Sequence, residues 1–256
     1  MALIKKIFYN PETGRLNSHL AGHFLQFAEK STPQYDSKTG MRLLLIFVLL
    51  EGIIGPRFSL ASMLGISVPP ASIRISILLF VALLLVKLVA KIEFNKIGLY
   101  PWRDWTATER SYFIQVLVLV NIIFPAMQMS NVQLLLSNYP VWFEAAIIFL
   151  VQIMWGFYQE LMYRGILQTE LVRRWGSLKG VLVANILFTF GPLHFYHFQQ
   201  SGNNPSHLWI FAAIFAIGLF FGVLFRRSGN LWMIGIFHGI GDWYIEGLPK
   251  VVALIK

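Results

Sequence analysis

From residue 41 onward the chain is a succession of apolar runs, at approximately 41–64, 71–92, 110–128, 140–172, 180–199, 207–225 and 230–245, with a short apolar tail at 248–255. A helix of about 20 predominantly apolar residues suffices to cross the hydrocarbon of a bilayer. The expected fold is therefore all-α, a polytopic transmembrane helix bundle of seven to eight helices. Composition agrees: 56% of the 256 residues are hydrophobic and 13% are charged, against about 25% charged in ordinary soluble domains.

Residues 1–40 are polar and basic, with loop signals in NPETG and STPQYDSKTG. Between them, SHLAGHFLQFAEK sets Leu20, Phe24 and Phe27 on one helical face, a pattern suited to a helix lying on the membrane surface. The chain thus divides into a cytoplasmic amphipathic N-terminal segment, 1–40, and a transmembrane domain, 41–256. The first apolar run is interrupted by Glu51, Gly55, Pro56 and Arg57, and the fourth exceeds one perpendicular crossing, so it tilts or extends past the bilayer. No internal repeat is evident. The chain has no cysteine, so thiolate chemistry, disulfides and prenylation of the chain itself are excluded. No signal-peptide pattern is visible at its start.

Lysine and arginine set the expected orientation. The N-terminal segment holds Lys5, Lys6, Arg15, Lys30, Lys38 and Arg42, and the second connection holds Lys87, Lys91, Lys96, Arg103 and Arg110. Arg173, Arg174 and Lys179 lie in the fourth connection, Arg226 and Arg227 in the sixth. The odd connections are poor by contrast, with none in MSNVQLLLSN or QQSGNNPSH. A cytoplasmic N-terminus and seven crossings follow, in what is expected to be a bacterial inner membrane. The formal charge of +9 is thereby a topology signal. Its residues are not gathered on one segment and carry no recognition motif, so no nucleic-acid partner is expected.

Ionisable groups at membrane depth cost about 2.5–3.5 kcal/mol on insertion scales, which makes each one informative. Glu144 lies near a segment end and reads as a solvated carboxylate. Glu51, beside a Gly-Pro break, reads as satisfying backbone there. The others form a pattern. In YQELMYRG, Glu160 and Arg164 are four apart and within reach of an ion pair. In FTFGPLHFYHF, His194 follows Phe190 by one turn across Gly191-Pro192, where a proline kinks a helix and opens room for a polar pocket; His197 reads as an interfacial histidine. In GNLWMIGIFHGIGDWY, His238 and Asp242 share a face, and Gly235 and Gly239 form a small-xxx-small pair that admits a close neighbour. Counted from the cytoplasmic ends, Glu160, His194, His238 and Asp242 fall within about 9 Å of one level at 1.5 Å per residue. One cavity reached from the cytoplasmic half is the expectation. Three chemistries fit it: a general base with oxyanion donors, a divalent metal such as zinc on Glu160, His194 and His238, or a proton relay.

The series QExxxR, FxxxH and HxxxD, with YRGILQ after the first motif and GNLW before the third, resembles the CAAX protease and bacteriocin-processing (CPBP, or Abi) family over roughly residues 140–245. The resemblance implies an intramembrane endopeptidase of the glutamate type, working without a cofactor on a membrane-associated peptide or protein substrate in contact with the lipid bilayer. It implies that His194 polarises water, that His238 and Asp242 stand on the oxyanion side, with Asp242 orienting His238, and that Glu160 and Arg164 are the second glutamate and the arginine of the first motif. Gln159 stands where the family's first, water-activating glutamate usually stands; glutamine is nearly isosteric but takes no proton at neutral pH. The alternative is a non-hydrolytic homologue that binds a membrane protein as a scaffold, immunity factor or complex subunit.

Overall fold

The computed structural model describes residues 33, 35–55, 61, 67, 69–194 and 208–256. The amphipathic segment read at Leu20, Phe24 and Phe27, the Pro56-Arg57 break and His197 lie outside the described residues. All regular secondary structure among the described residues is helical. We number the α-helices in chain order: α1 (Ser37–Phe47), α2 (Ala71–Leu85), α3 (Ala107–Met127), α4 (Met129–Ser137), α5 (Trp142–Glu160), α6 (Thr169–Trp175), α7 (Ser177–Phe190), α8 (Leu208–Ser228), α9 (Leu231–Asp242) and α10 (Leu248–Ile255). Four of them continue without a break into π-helical stretches, α1 into Val48–Ile54, α2 into Val86–Ala90, α5 into Leu161–Gln168 and α9 into Trp243–Gly247. Two of these stretches also bridge to the next helix, from α5 to α6 and from α9 to α10. Helix ends follow local chemistry. The Asp36 carboxylate accepts the Thr39 amide at the start of α1, and Thr106 with Glu109 forms a reciprocal capping box on α3, each satisfying amides that the helix itself leaves open.

Four helical stretches are long and apolar enough to cross a membrane: Ala71–Ala90, Ala107–Met127, Tyr139–Trp175 and Trp209–Ser228. Their outward residues are large and apolar, among them Phe80, Ile122, Leu150 and Ile217, which suits hydrocarbon and not water. The chain is accordingly a multi-pass membrane protein. The Tyr139–Trp175 stretch spans 37 residues, or about 55 Å at 1.5 Å per residue, far beyond the roughly 30 Å of bilayer hydrocarbon.

Several boundaries differ from the sequence expectation. In the fifth run, expected at 180–199, the α-helix ends at Phe190, and residues 195–199 lie outside the described residues. Gly191 is extended, Pro192 has no amide to donate, and a separate 3₁₀ turn, Pro192–His194, follows. MSNVQLLLSN, expected as a connection, is the short helix α4. The apolar tail is the helix α10, continuous with α9 through the π turn.

The chain's contacts form two units. One comprises Lys30–Leu99 and Tyr158–Leu231, the other Tyr100–Phe157 and Trp232–Lys256. In the first, α7 packs between α6 and α8, and α1 packs on the Leu161–Gln168 stretch. Its core includes Leu43, Leu50, Leu161, Met162, Ile166, Leu224 and Leu231. Gly98, at φ +90°, is required here: its carbonyl accepts the Leu231 amide, and a Cβ would stand 2.7 Å from Gly229 O. The core of the second unit gathers Ala145, Ile240, Trp243, Tyr244, Leu248, Val251 and Val252.

Candidate active site

The first motif lies where α5 gives way to a π-helical stretch. Glu160 is the last residue of α5, and Leu161–Gln168, all of it buried, is wound with the wider π repeat. Such stretches are rare and collect at functional sites. Here the Thr169 amide and hydroxyl both reach back to Arg164 O, five residues earlier, which holds the widened turn closed.

Within that frame Arg164 Nε lies 3.3 Å from Glu160 Oε2, and the two side chains are 1% and 0% exposed. The expected ion pair is therefore present, sealed inside the unit. Arg164 is held two further ways. Its Nη2 donates to Gly218 O on α8 at 2.8 Å, and its guanidinium sits 4.1 Å over the Phe188 ring of α7. Gly218 makes room, since a Cβ there would meet Asn185 Oδ1 at 2.3 Å and Arg164 Nη2 at 3.1 Å. One turn on, Gln168 Nε2 donates to Gly222 O at 2.8 Å. The first motif thus uses its polar side chains to bind α8 by main-chain carbonyls, where no water competes.

Gln159, next to Glu160, is half-buried. Its Oε1 is buried and has no hydrogen-bond partner among the described residues.

His194 is buried on the 3₁₀ turn. Its Nδ1 lies 2.7 Å from Phe188 O, and its ring stands edge-on to the Phe188 ring at 4.8 Å. Because a carbonyl only accepts, Nδ1 carries the hydrogen and donates. That assigns the lone pair of the neutral ring to Nε2, the nitrogen able to take a proton. The Phe188 carbonyl is open to the imidazole because α7 ends two residues later.

The structure also brings in a residue the sequence reading set aside. Glu51, on the π stretch after α1, is 3% exposed. Among the described residues, no hydrogen bond joins its carboxylate to the adjacent backbone. Its Oε2 instead accepts the Tyr163 hydroxyl at 3.2 Å, across 112 positions of sequence, and the Tyr158 hydroxyl faces the same carboxylate. The Tyr163 ring meets Phe47 and Phe188 edge-on at 5.2 Å each. No periodicity marks a lone Glu in an apolar run as a partner of a distant tyrosine. By contrast Glu144 is exposed, as expected.

In the other unit, His238 Nε2 lies 3.7 Å from Asp242 Oδ1 on α9. The expected close approach at the glycines is present: a Cβ on Gly239 would stand 2.5 Å from Ile153 Cα, and one on Gly156 would stand 2.3 Å from Gly239 N. Gly235 faces Phe157 in the same way. α9 therefore rests directly on the backbone of α5 at His238, as small residues permit in membranes. Glu160, Gln159, Arg164 and His194 belong to one unit and His238 and Asp242 to the other. Among the described residues, no group of three or more His, Asp or Glu side chains is arranged to hold a metal ion.

Comparison with protein families matches residues 140–244 to the Rce1-like family, described as type II CAAX prenyl endopeptidase Rce1-like. Searches of curated proteins and of solved structures gave no match. The matched span begins at the foot of α5 and ends just beyond Asp242, and it contains all three motifs. Over residues 140–244 the chain is similar to the Rce1-like type II CAAX prenyl endopeptidases, in agreement with the resemblance to the CPBP family carried by the three motifs.

Proposed function

We propose that this protein is an intramembrane endopeptidase that hydrolyses a peptide bond in a membrane-associated polypeptide. The observation that carries the reading is His194, a buried imidazole whose Nδ1–H is tied to Phe188 O. That bond presents Nε2 as a fixed proton acceptor in a chain similar to a protease family. An imidazole held this way can accept a hydrogen bond from the attacking water and polarise it, a contribution of the acid–base kind worth about 10²–10⁴ in rate.

In this reading His194 Nε2 polarises the attacking water. The family resemblance gives His238, with Asp242 3.7 Å away, the role of stabilising the oxygen that turns negative as the tetrahedral intermediate forms. Glu160 and Arg164 are the structural pair that fixes the π stretch, and Gln159 offers the water a hydrogen-bond acceptor but no base. The reaction draws on no cofactor. The N-terminus lies in the cytoplasm of a bacterial cell, and the site opens on that side. The family's description names CAAX prenyl substrates, so a short C-terminal tail carrying an isoprenoid is the substrate class to test first.

The test is cleavage, in detergent and in liposomes, of a farnesylated peptide ending in a CAAX sequence and of the same peptide without the lipid. We expect cleavage that His194→Gln and His238→Ala each reduce by about 10²-fold or more, unchanged by a chelator. Cleavage abolished by chelator and restored by zinc would replace the reading with the metal one. Absence of cleavage together with recovery of a stoichiometric membrane partner would replace it with the binding one.

A further inference from the structure

Gln159 leaves the protease reading without its usual carboxylate, and the first unit holds two other buried ones near the motif. Glu160 is committed to Arg164: a proton placed on it would strand a guanidinium that is 1% exposed with no counter-charge. Among the described residues, the groups that face Glu51 are the phenols of Tyr163, which donates to it, and Tyr158, and both stay neutral whether it is charged or not.

Glu51 is also in the right place. The backbone of its π stretch, Val48–Ile54, packs against the turn Pro192–His194. The Tyr163 hydroxyl that donates to Glu51 lies 3.3 Å from where a Cβ of Gly191 would be, at the foot of that turn. Tyr163 and His194 both lie edge-on to Phe188. The carboxylate, the phenol and the imidazole therefore converge around one turn of chain. Burying a carboxylate without a cation is costly, and Tyr163, at 0% exposure, is a built partner for it.

We propose that Glu51, brought in from outside the family-matched span, is the proton-accepting carboxylate of this enzyme in place of the glutamate that Gln159 replaces. The inference rests on the protease reading above. In the step, the water oxygen bonds to the scissile carbonyl carbon while one water proton passes to Glu51, with His194 Nε2 holding the water. Collapse of the tetrahedral intermediate breaks the C–N bond, and Glu51 returns the proton to the departing amine. Water is consumed, one acid and one amine are formed, and no redox partner is needed.

The experiment uses the full chain and the farnesylated CAAX peptide, comparing wild type, Glu51→Gln, Gln159→Glu and the double variant. Glu51→Gln keeps an acceptor for the Tyr163 hydroxyl, so the fold is retained. It is expected to lower kcat by about 10²–10⁴-fold with little change in KM, and to abolish the acid limb of the kcat–pH profile. Adding Gln159→Glu to Glu51→Gln is expected to restore cleavage by about 10-fold or more, because a carboxylate returns to the position the family uses. Wild-type cleavage that survives Glu51→Gln overturns the inference and leaves the protease reading standing. Loss of cleavage with a lowered melting temperature and no rescue by Gln159→Glu also overturns it, making Glu51 structural. Cleavage by no variant, wild type included, overturns the protease reading and the inference together.

Discussion

Arg164 Nε stands 3.3 Å from Glu160 Oε2, with both side chains closed off from the surroundings and the guanidinium shared with Gly218 O and the face of Phe188. One residue thereby ties the π stretch after α5 to α7 and to α8. The pair is an anchor for the motif, and its chemistry is one of counter-charges, which explains why an Arg and a Glu are tolerated in so apolar a run.

Removing one partner of a buried pair costs about 3–5 kcal/mol, because the survivor is left as an uncompensated charge. Glu160→Gln and Arg164→Met are each expected to destabilise by about that much. The double variant is expected to lose clearly less than the sum of the two. Thermal unfolding in one detergent, read as a double-mutant cycle, measures the coupling, and additive losses would show that the pair contributes nothing as a pair.

Two glycines give opposite expectations for the same substitution. At Gly218 a Cβ would stand 2.3 Å from Asn185 Oδ1 and 2.9 Å from Phe188 Cδ1, so Gly218→Ala forces α8 away from Arg164 and should cost about 1–3 kcal/mol. At Gly241, on α9, nothing lies within 4 Å of the added atom, and Gly241→Ala should stabilise by roughly 0.5–1 kcal/mol. Melting temperatures of the two variants that move in the same direction would contradict this account of the packing.

Asp36 makes the pH dependence of α1 specific. Hydrogen bonding from the Thr39 hydroxyl, and then from the Thr39 amide, holds its carboxyl below the usual carboxylate range. A carboxyl lowered on folding contributes stability that is fully present above its unfolded value, near pH 4, and lost as pH falls through the folded one. Protection of the Thr39 amide from hydrogen exchange, corrected for intrinsic rate, should therefore hold from neutrality downward and collapse below the carboxylate range. Asp36→Asn keeps the acceptor and should remove the pH dependence, leaving protection flat.

The absence of cysteine from the chain makes orientation directly measurable. Ser130 on α4 is exposed. Ser177 accepts the Arg226 Nε at 2.9 Å, so the opposite reporter is better placed at exposed Lys179. Single cysteines at Ser130 and Lys179 should react with an impermeant maleimide from opposite faces of sealed vesicles, Lys179→Cys from the cytoplasmic one. Labelling of both from one face would break the orientation read from the lysines and arginines.

The sequence by itself determined the helical membrane architecture, because the length and hydropathy of a run are local properties. It determined the Glu160–Arg164 pair and the Gly235–Gly239 contact face too, because positions four apart on a helix must share a side. The tertiary structure decided what those faces meet. That Arg164 ends on Gly218 O and Phe188 depends on how α7 and α8 pack, and a pattern within one helix does not encode its neighbours. The end of α7 at Phe190, which opens the carbonyl that orients His194, came from Gly191 and Pro192 acting together where the sequence suggested only a kink. Most plainly, Glu51 read as satisfying backbone beside a Gly-Pro break. The fold brought it to Tyr163, 112 positions away, and such a pairing exists only once the chain has closed around it.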